Sequence, residues 1–472
     1  MKVIFYLSNH GFGHAARNIP IIEALLEDGH EVIVKTGEAQ GEFVRDSLKR
    51  YKAVEVITAS MDVGLILKNS SFEIDGAALE QKVRGFMKTW PDRIRDEVKY
   101  LKQLNPHLVV CDIVPWALCA AKESGIKSYL ISNFTWMEIY QEYLPEDIIL
   151  AYKNCYQLVD KVLRYDLATP YFTHFFKEEK SVSICARSFD EKEIQRIKAQ
   201  FDKPIVFVSV GRSVDLEEEI DVSHLNYQFI VTEGIQLSGD NVLYLPKEIE
   251  NTQDYIKASE MVITKAGFGT VAETMLARKK CAVIGRETVA EDRATVHHLV
   301  ERGLAIQVEY SGGLDMEGII RNLEMFEPRY DLHSFTNDAK KIANLLVEIC
   351  RSHYLMPLEA YGNEETGYLV PFNSKGFPFQ VKRIFYLVDV PTQAIRGRHS
   401  YYKTKQVLIC LHGTVKVKCT VGEEEMIYEL SNSRQGLYLE PEVWRETYDF
   451  SESTVVLVVS SEDFDEGDYR RT

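Results

Sequence analysis

Short apolar stretches alternate with amphipathic ones over the first third of the chain. Four runs rich in β-branched residues begin at residues 2, 31, 107 and 127, and they read KVIFYLS, EVIVKTG, HLVVCDI and KSYLISN. The stretches between them, such as IPIIEALLEDG, repeat apolar residues at the three- and four-residue spacing of a helix with one buried face. This alternation predicts βαβ units and a parallel sheet.

The same alternation restarts after about residue 165 and ends near residue 353. Its strands read KPIVFVSVG, YQFIVTEG, NVLYLP, MVITKAG and KCAVIGR, and its last helix lies in NDAKKIANLLVEICRSH. Further on, strands such as RIFYLVDV, QVLICLHG, TVKVKCTV and STVVLVVS leave no room for helices. We predict an α/β fold of two tandem Rossmann-like domains, residues 1–165 and 166–353, followed by an all-β jelly roll at 354–472.

The composition limits the partners and the compartment. The chain has 472 residues, a hydrophobic fraction of 45% and a formal net charge of −16. Nucleic acids and anionic membranes require a basic surface, so neither is expected as the main partner. The eight cysteines lie scattered without a C-x-x-C pair and are interpreted as reduced core residues. We find no signal peptide and no apolar run of membrane-spanning length, and we expect a cytoplasmic protein.

A glycine-rich loop joins the first predicted strand to the first helix, in the stretch SNHGFGHAARN. Gly11 and Gly13 would let the backbone approach a ligand closely, and the helix that follows would present its positive end to a phosphate. The alternative is a tight turn in which His10 and His14 cap the helix or pack. A single G-x-G pattern does not decide between the two.

A second glycine loop lies in MVITKAGFGTVAETMLARKKCAVIGRE, residues 261–287. Gly267 and Gly269 directly follow a predicted strand, and Thr270 lies near the first turn of the next helix. A diphosphate would bind the N–H groups of this helix start, and Glu273, one turn on, could accept hydrogen bonds from a ribose diol. The alternative is that the glycines only allow the helix to pack on the strand.

Together these motifs resemble a known group of enzymes. K-A-G-F-G-T-x-x-E followed by a strand and GRE resembles the nucleotide-sugar half of GT-B glycosyltransferases related to the enzyme that makes lipid II. H-G-F-G-H-A-A-R with LVVCDIVPWALCAAKESGIKSYLISNFTW is similar to the acceptor half of such enzymes, above all to the glycosyltransferase-like region of arabinokinases. The halves occur in the correct order over roughly residues 1–350.

The resemblance implies that a nucleotide-sugar lies between the two α/β domains and is bound chiefly by the second. The residues expected around its diphosphate are Lys265, Gly267, Phe268, Gly269, Thr270 and, from another loop, Gly211, Arg212 and Ser213. Glu273 would hold the ribose, and Arg286 and Glu287 would face the donor sugar. His14 is expected to act as the base or to polarise the donor, and Asp112 is the competing candidate for the base.

This chemistry also bears on cofactors. Sugar transfer passes through an oxocarbenium-like centre while a diphosphate leaves, so it needs fixed N–H donors and a proton acceptor. GT-B enzymes resemble one another in working without a bound metal, and the sequence shows no compelling cluster of metal ligands. We expect no metal and no cofactor, only a UDP- or dTDP-linked donor and a sugar or glycan acceptor.

The last third resembles a second family. The stretches KRIFYLVDVPTQAIRGRHSYYKTKQVLICLHGTVKVK and GLYLEPEVWRETYDFSESTVVLVVSSEDFDEGDY resemble dTDP-sugar 3,4-ketoisomerases, which are cupin-type jelly rolls. Those enzymes carry R-G-x-H-x-H, whose histidines move protons between sugar carbons, and V-W-H-E. This chain keeps His399 but has Tyr401 and Arg445 at the other two histidine positions. Arg396 and Tyr401 are assigned to binding of the sugar nucleotide.

These two changes leave the role of the cupin domain open. Tyrosine has an unperturbed pKa near ~10 and is a poor base at neutral pH, so the isomerase machinery looks degraded. One remaining histidine could still shuttle the proton. The alternative is a module that binds a sugar nucleotide or dimerises, and the resemblance implies a homodimer through this domain.

Three functions follow from these readings. The leading hypothesis is a glycosyltransferase that uses a nucleotide-activated deoxy or amino sugar in the biosynthesis of a surface polysaccharide. A nucleotide-sugar hydrolase stays open, because water and a sugar hydroxyl require the same base. The third is a bifunctional protein whose cupin domain isomerises a dTDP-4-keto-6-deoxyhexose for the transferase.

Overall fold

Two parallel sheets and then a pair of antiparallel sheets follow one another along the chain, which confirms the predicted fold class. The protein is represented by a computed structural model that describes residues 1–68, 73–170, 175–176, 179–210, 219–232, 234–246, 249, 251–309, 313–350, 352–371, 377–422 and 424–471. The chain divides into two units, Met1–Leu346 and Val347–Thr472. The first unit contains both parallel sheets.

The first sheet has seven parallel strands. In spatial order they are Val54–Thr58, Glu31–Thr36, Lys2–Leu7, Leu108–Asp112, Ser128–Ser132, Lys161–Tyr165 and Glu179–Val182. The helices of this part are Gly13–Glu27, Glu38–Leu48, Gly76–Met87, Trp90–Leu104, Pro115–Ser124, Trp136–Tyr140 and Glu146–Tyr156. Helices cover the sheet, so its central strands are buried almost throughout. This burial agrees with their sequences, which are continuous runs of apolar and β-branched residues. The sheet continues to Val182, beyond the residue 165 at which the sequence places the end of the first domain.

The strand order reverses direction at the centre of this sheet. Lys2–Leu7 pairs with Glu31–Thr36 on one side and with Leu108–Asp112 on the other. Leu7 lies in register with Asp112, so the first glycine loop starts beside that carboxylate. Open α/β sheets bind ligands at such a switch point.

The second sheet repeats this arrangement with six parallel strands. In spatial order they are Val242–Tyr244, Gln228–Val231, Ile205–Ser209, Met261–Lys265, Lys280–Ile284 and Ile306–Val308. A small parallel pair is formed by Glu219–Asp221 and Gln236–Ser238. The helices are Glu191–Lys198, Thr252–Ala258, Phe268–Ala277, Ala290–Glu301, Met316–Met325 and Ala339–Cys350. Within the described part of the chain, no helix is both long enough and apolar enough to span a membrane.

The second unit is an antiparallel sandwich. One sheet contains, in spatial order, His353–Pro357, Gln435–Leu439, Gln406–His412, Val455–Ser460 and Arg383–Leu387. The other contains Glu424–Leu430, Val415–Val421, Trp444–Tyr448, Arg396–Tyr401 and Tyr469–Arg470, and a hairpin joins Tyr361–Asn363 to Gly367–Leu369. Alternate residues of both sheets, such as Leu408 and Val417, meet in one core. A short 3₁₀ turn covers Glu466–Asp468.

Candidate active site

A cavity of about 460 Å³ lies between the two glycine loops of the first unit. Its volume is within the range of small-molecule sites. The predicted residues that line it are Gly11, Gly13, His14, Lys265, Gly267, Phe268, Gly269, Thr270, Glu273 and Arg286. The fold therefore brings together most of the residues that the two loop motifs predict.

The two glycine loops approach each other closely at this cavity. A Cβ atom built on Gly269 would lie 3.4 Å from the Cα atom of Gly13, so the two loops are in van der Waals range of each other at these glycines. Helices Gly13–Glu27 and Phe268–Ala277 start here, and neither has a side-chain cap. Two positive helix ends thus border one cavity, which favours an anion such as a diphosphate.

Asp112 lies behind the cavity wall with all of its acceptor positions occupied. Its Oδ1 atom accepts hydrogen bonds from Nδ1 of His14 at 3.0 Å and from Nη2 of Arg17. Its Oδ2 atom accepts from Nε of Arg17 at 2.8 Å and from Nδ2 of Asn18 at 2.6 Å. Burial raises the pKa of this carboxyl, but Arg17 and His14 outweigh burial and lower the pKa to about 2. An ionised carboxylate has about four acceptor positions, so none is left for a substrate.

The network decides which nitrogen of His14 carries the hydrogen. Nη2 of Arg17 lies 2.9 Å from Nδ1 of His14 and would donate to it if Nδ1 were unprotonated. However, both hydrogens of Nη2 are directed elsewhere, to Asp112 and to Oγ of Ser132 at 3.1 Å. Nδ1 of His14 therefore donates to Asp112, so in the neutral imidazole the lone pair is on Nε2. The ring borders the cavity, so this lone pair belongs to a group within reach of a ligand.

The sequence analysis missed Arg17, although a local signal exists. Arg17 follows His14 by three residues on the same helix, so the two side chains share one face. Its guanidinium also lies 5.3 Å from the ring centre of Phe268 in the second glycine loop. Arg17 therefore contacts the catalytic candidates of the first domain and the glycine loop of the second.

Glu273 is buried and paired with a second residue that the sequence does not predict. Nε of Arg187 lies 2.9 Å from Oε1 of Glu273, and Nη2 lies 2.7 Å from the same oxygen. Nη2 also donates to Oγ1 of Thr252 at 2.9 Å. No local motif indicates Arg187, because 86 residues separate it from Glu273.

Basic groups dominate the middle of the cavity. Burial first, and then the charge of Arg286, lower the pKa of Lys265 to about 8. Burial and the neighbouring positive groups lower the pKa of His10 to about 3. Nε of Arg286 donates to Oδ2 of Asp292 at 2.7 Å, which fixes its side chain at the wall. Glu291 lines the same cavity and accepts from Nδ2 of Asn133 at 3.1 Å.

Some predicted residues lie elsewhere. Glu287 borders a second cleft beside helix Ala290–Glu301, which shares Arg286 with the cavity. Three predicted phosphate-binding residues fall outside the described part of the chain, namely Gly211, Arg212 and Ser213. Within the described residues, no group of three or more His, Cys, Asp or Glu side chains is arranged to hold a metal ion.

The C-terminal unit holds its own candidate site on two adjacent strands. His399 and Arg445 are in register, and Nη2 of Arg445 donates to Nε2 of His399 at 2.9 Å. Nδ1 of His399 donates to the carbonyl oxygen of Gly397 at 2.9 Å. Burial and the charge of Arg445 lower the pKa of His399 to about 4. Both ring nitrogens are thus engaged, and the ring is neutral at neutral pH.

The other predicted residues of this unit differ in exposure. Tyr401 is buried, and its ring centre lies 4.7 Å from the guanidinium carbon of Arg445. Arg396 is exposed at the start of the same strand. A tyrosine and an arginine therefore fill the space beside His399 where the ketoisomerase motifs have histidines.

Both parts of the chain resemble known families. Residues 1–309 match the family described as Glycosyl transferase family 1, and residues 352–472 match the family described as WxcM-like, C-terminal. The chain is 26% identical over 301 residues to L-arabinokinase of Arabidopsis thaliana, an alignment that covers 61% of this chain but only 28% of the plant protein. It is 39% identical over 98 residues to TDP-4-oxo-6-deoxy-alpha-D-glucose-3,4-oxoisomerase of Aneurinibacillus thermoaerophilus, covering 21% of this chain and 70% of that enzyme.

A solved structure supports the same fold for the first unit. The glycotransferase of kitacinnamycin aligns with a TM-score of 0.50 and 13% identity, over 74% of this chain and 98% of its own. At that identity the likeness concerns the fold alone. It agrees with the two parallel sheets that enclose the cavity.

Binding of a nucleoside diphosphate should place a proton on Lys265 at mildly alkaline pH. Because its pKa is about 8, most of this amine is neutral at about pH 8.5, and a bound anion would raise the pKa. Calorimetry in two buffers of different ionisation enthalpy should show uptake of at most about three-quarters of a proton per site at about pH 8.5, and little uptake below about pH 7.

The matched variant is Lys265→Arg, whose side chain stays charged at both pH values. It should bind the nucleotide without proton uptake. Equal uptake by the variant and the natural protein would contradict the placement of Lys265 beside the diphosphate.

Proposed function

The chain belongs to glycosyl transferase family 1 and carries a WxcM-like C-terminal region, and from this premise we propose that it moves a sugar from a nucleotide diphosphate to an acceptor hydroxyl. The observation that carries the proposal is His14, held by Asp112 at 3.0 Å and exposed to a cavity between two glycine loops. The candidate base and the candidate diphosphate-binding loop thus border one cavity.

His14 is the proposed base. With its hydrogen on Nδ1, the lone pair of Nε2 accepts the proton of the acceptor hydroxyl. Asp112 stabilises the imidazolium that results, because its carboxylate is already ionised and hydrogen-bonded to Nδ1. Asp112 itself is a positioning residue in this proposal, since its four acceptor positions are filled by protein groups.

The diphosphate is the proposed leaving group. The start of helix Phe268–Ala277 supplies backbone N–H groups and a positive dipole end, and Lys265 supplies a charge. As the bond from the anomeric carbon to the phosphate oxygen breaks, its electron pair leaves with the nucleoside diphosphate. The acceptor oxygen forms the new bond, and its proton goes to His14. A single displacement of this kind inverts the anomeric configuration.

The nature of the sugar is proposed from the fused C-terminal region. The oxoisomerase that it resembles is named for a TDP-linked 4-oxo-6-deoxy sugar. We therefore propose a UDP- or dTDP-linked deoxy or amino sugar as the donor, a glycan as the acceptor, and assembly of a surface polysaccharide in the cytoplasm as the setting.

We propose that the C-terminal unit binds a TDP-linked sugar without isomerising it. A keto shift removes a proton from one carbon and returns a proton to the next, so its base needs an open lone pair. In this unit Nε2 of His399 already accepts a hydrogen bond from Arg445. A neutral, occupied imidazole beside a buried arginine is suited to binding an anionic or polar ligand and unsuited to proton transfer.

We also propose a homodimer through this unit. Strand Arg383–Leu387 lies at the edge of its sheet, and its outward face exposes Ile384 to 54% and Tyr386 to 65%. Val388 continues the same apolar face. A second copy of the chain would cover these side chains.

Replacing the proposed base should separate turnover from binding. His14→Ala should lower the release of nucleoside diphosphate in the presence of acceptor by about two to four orders of magnitude, the contribution of a positioned base. Donor affinity should change less than about threefold, because the second domain holds the nucleotide. Turnover and calorimetric affinity are to be measured on the same protein.

The matched control is His224→Ala, which removes an exposed histidine outside the cavity and should keep full turnover. If His14→Ala keeps more than a tenth of the turnover, the base assignment is wrong. Equal release of free sugar with and without acceptor would instead favour a nucleotide-sugar hydrolase.

The C-terminal unit should not exchange the C3 hydrogen of dTDP-4-keto-6-deoxyglucose. Incubation in deuterium oxide, followed by proton NMR, should show no incorporation above that of a protein-free sample. The double variant Tyr401→His/Arg445→His, which restores the histidines of the motif, is the matched comparison. Rapid incorporation by the natural chain would show that it isomerises the sugar.

The oligomeric state tests whether the exposed face of strand Arg383–Leu387 forms the dimer interface. Sedimentation velocity should give a dimer for the natural chain and a monomer for Tyr386→Lys, because a charge there would be buried without a partner. Leu332→Lys changes a residue of the first unit that is 66% exposed and should leave the dimer intact. A monomeric natural chain, or a dimeric Tyr386→Lys variant, would exclude this interface.

A further inference from the structure

The ion pair of Arg187 with Glu273 bears on which nucleotide the cavity accepts. This step rests on the proposed function and on the expectation from the sequence that Glu273 holds the ribose of the nucleoside. Glu273 is 3% exposed, so its carboxylate is available only to groups that enter the cavity. What it can bind depends on how many of its acceptor positions remain.

Arg187 occupies one of the two carboxylate oxygens. Nε and Nη2 of Arg187 contact the same atom, Oε1 of Glu273, at 2.9 and 2.7 Å. Nε donates one hydrogen bond to Oε1, and Nη2 lies against the same oxygen as an ion pair, so the guanidinium crowds Oε1. Oε2 is the oxygen that can still receive a hydroxyl group from a ligand.

Other contacts hold Arg187 in this position. Nη2 donates to Oγ1 of Thr252 at 2.9 Å, and the guanidinium carbon lies 5.6 Å from the ring centre of Phe43. Phe43 comes from the first domain and borders the same cavity. A ligand hydroxyl that displaced Arg187 would therefore break an ion pair, a hydrogen bond and an aromatic contact.

A ribose presents two adjacent hydroxyl groups, and a carboxylate binds such a diol best when each hydroxyl donates to a different oxygen. A 2′-deoxyribose presents only the 3′-hydroxyl and needs one oxygen. We propose that Arg187 makes this cavity selective for a 2′-deoxyribonucleoside diphosphate donor over a ribonucleoside diphosphate donor. A preference for 2′-deoxyribonucleotides agrees with the TDP-linked ligand proposed for the C-terminal unit, because TDP contains 2′-deoxyribose.

The test compares UDP, dUDP and TDP by calorimetry on the full chain. UDP and dUDP differ only in the 2′-hydroxyl, and dUDP and TDP differ only in the methyl group of the base. Binding that Lys265→Ala abolishes is assigned to this cavity, which separates it from binding by the C-terminal unit. At this site dUDP should bind about tenfold or more tightly than UDP, because a buried hydroxyl without a partner is costly.

Removing the arginine should remove the preference. In Arg187→Gln the Oε1 atom of Glu273 becomes available, and the affinities of UDP and dUDP should agree within about threefold. Arg302→Gln breaks an ion pair with Asp166 outside the cavity and should keep the preference. If Arg187→Gln does not fold, the relative affinities of UDP and dUDP for the natural chain still test the inference.

The outcomes distinguish this inference from the proposed function. UDP binding as tightly as dUDP to the natural chain would overturn the inference alone. A preference that persists in a folded Arg187→Gln variant would also overturn it. Failure of all three nucleotides to bind the cavity would overturn both the proposed function and the inference.

Discussion

The buried ion pair between Arg17 and Asp112 is the interaction on which the candidate active site of the first unit depends. Asp112 is fully buried, and an uncompensated carboxylate there would be costly. The guanidinium keeps it ionised, with a pKa of about 2, and removal of one partner of such a pair typically costs about 3–5 kcal/mol. Because the carboxylate stays charged, it can hold His14 through Nδ1 and leave Nε2 for chemistry. In the proposed mechanism, the base is thus positioned by a carboxylate whose acceptor positions are filled by protein groups.

The position of this pair follows from the topology. Asp112 ends the strand beside Lys2–Leu7, and Arg17 lies on the helix that the first glycine loop opens, so both reach the switch point of the sheet. Phe268 of the second glycine loop covers the guanidinium at 5.3 Å. One charged side chain therefore pairs with Asp112 in the first domain and packs against the second glycine loop.

Local patterns predicted the two glycine loops well, because each loop joins a strand to the helix next in sequence. The same patterns could not reveal Arg187, which meets Glu273 across 86 residues, or the pairing of Arg445 with His399 across 46.

Asp112 was a reasonable candidate base by sequence, but only the fold shows that four protein donors surround its carboxylate. Glu287 borders a neighbouring cleft that shares Arg286 with the cavity, and its contact with the donor sugar stays a prediction. The predicted domain boundaries and the assigned roles of the site residues remain predictions.

The hydrogen position on His14 can be measured directly. Nitrogen-15 NMR of histidine-labelled protein, with the His14 signals assigned by their loss in His14→Gln, reports which ring nitrogen carries the hydrogen in the neutral imidazole. We expect a protonated Nδ1 bonded to Asp112 and an unprotonated Nε2. A His14 ring with its hydrogen on Nε2 would contradict the role of the Arg17–Asp112 pair and remove His14 as the base.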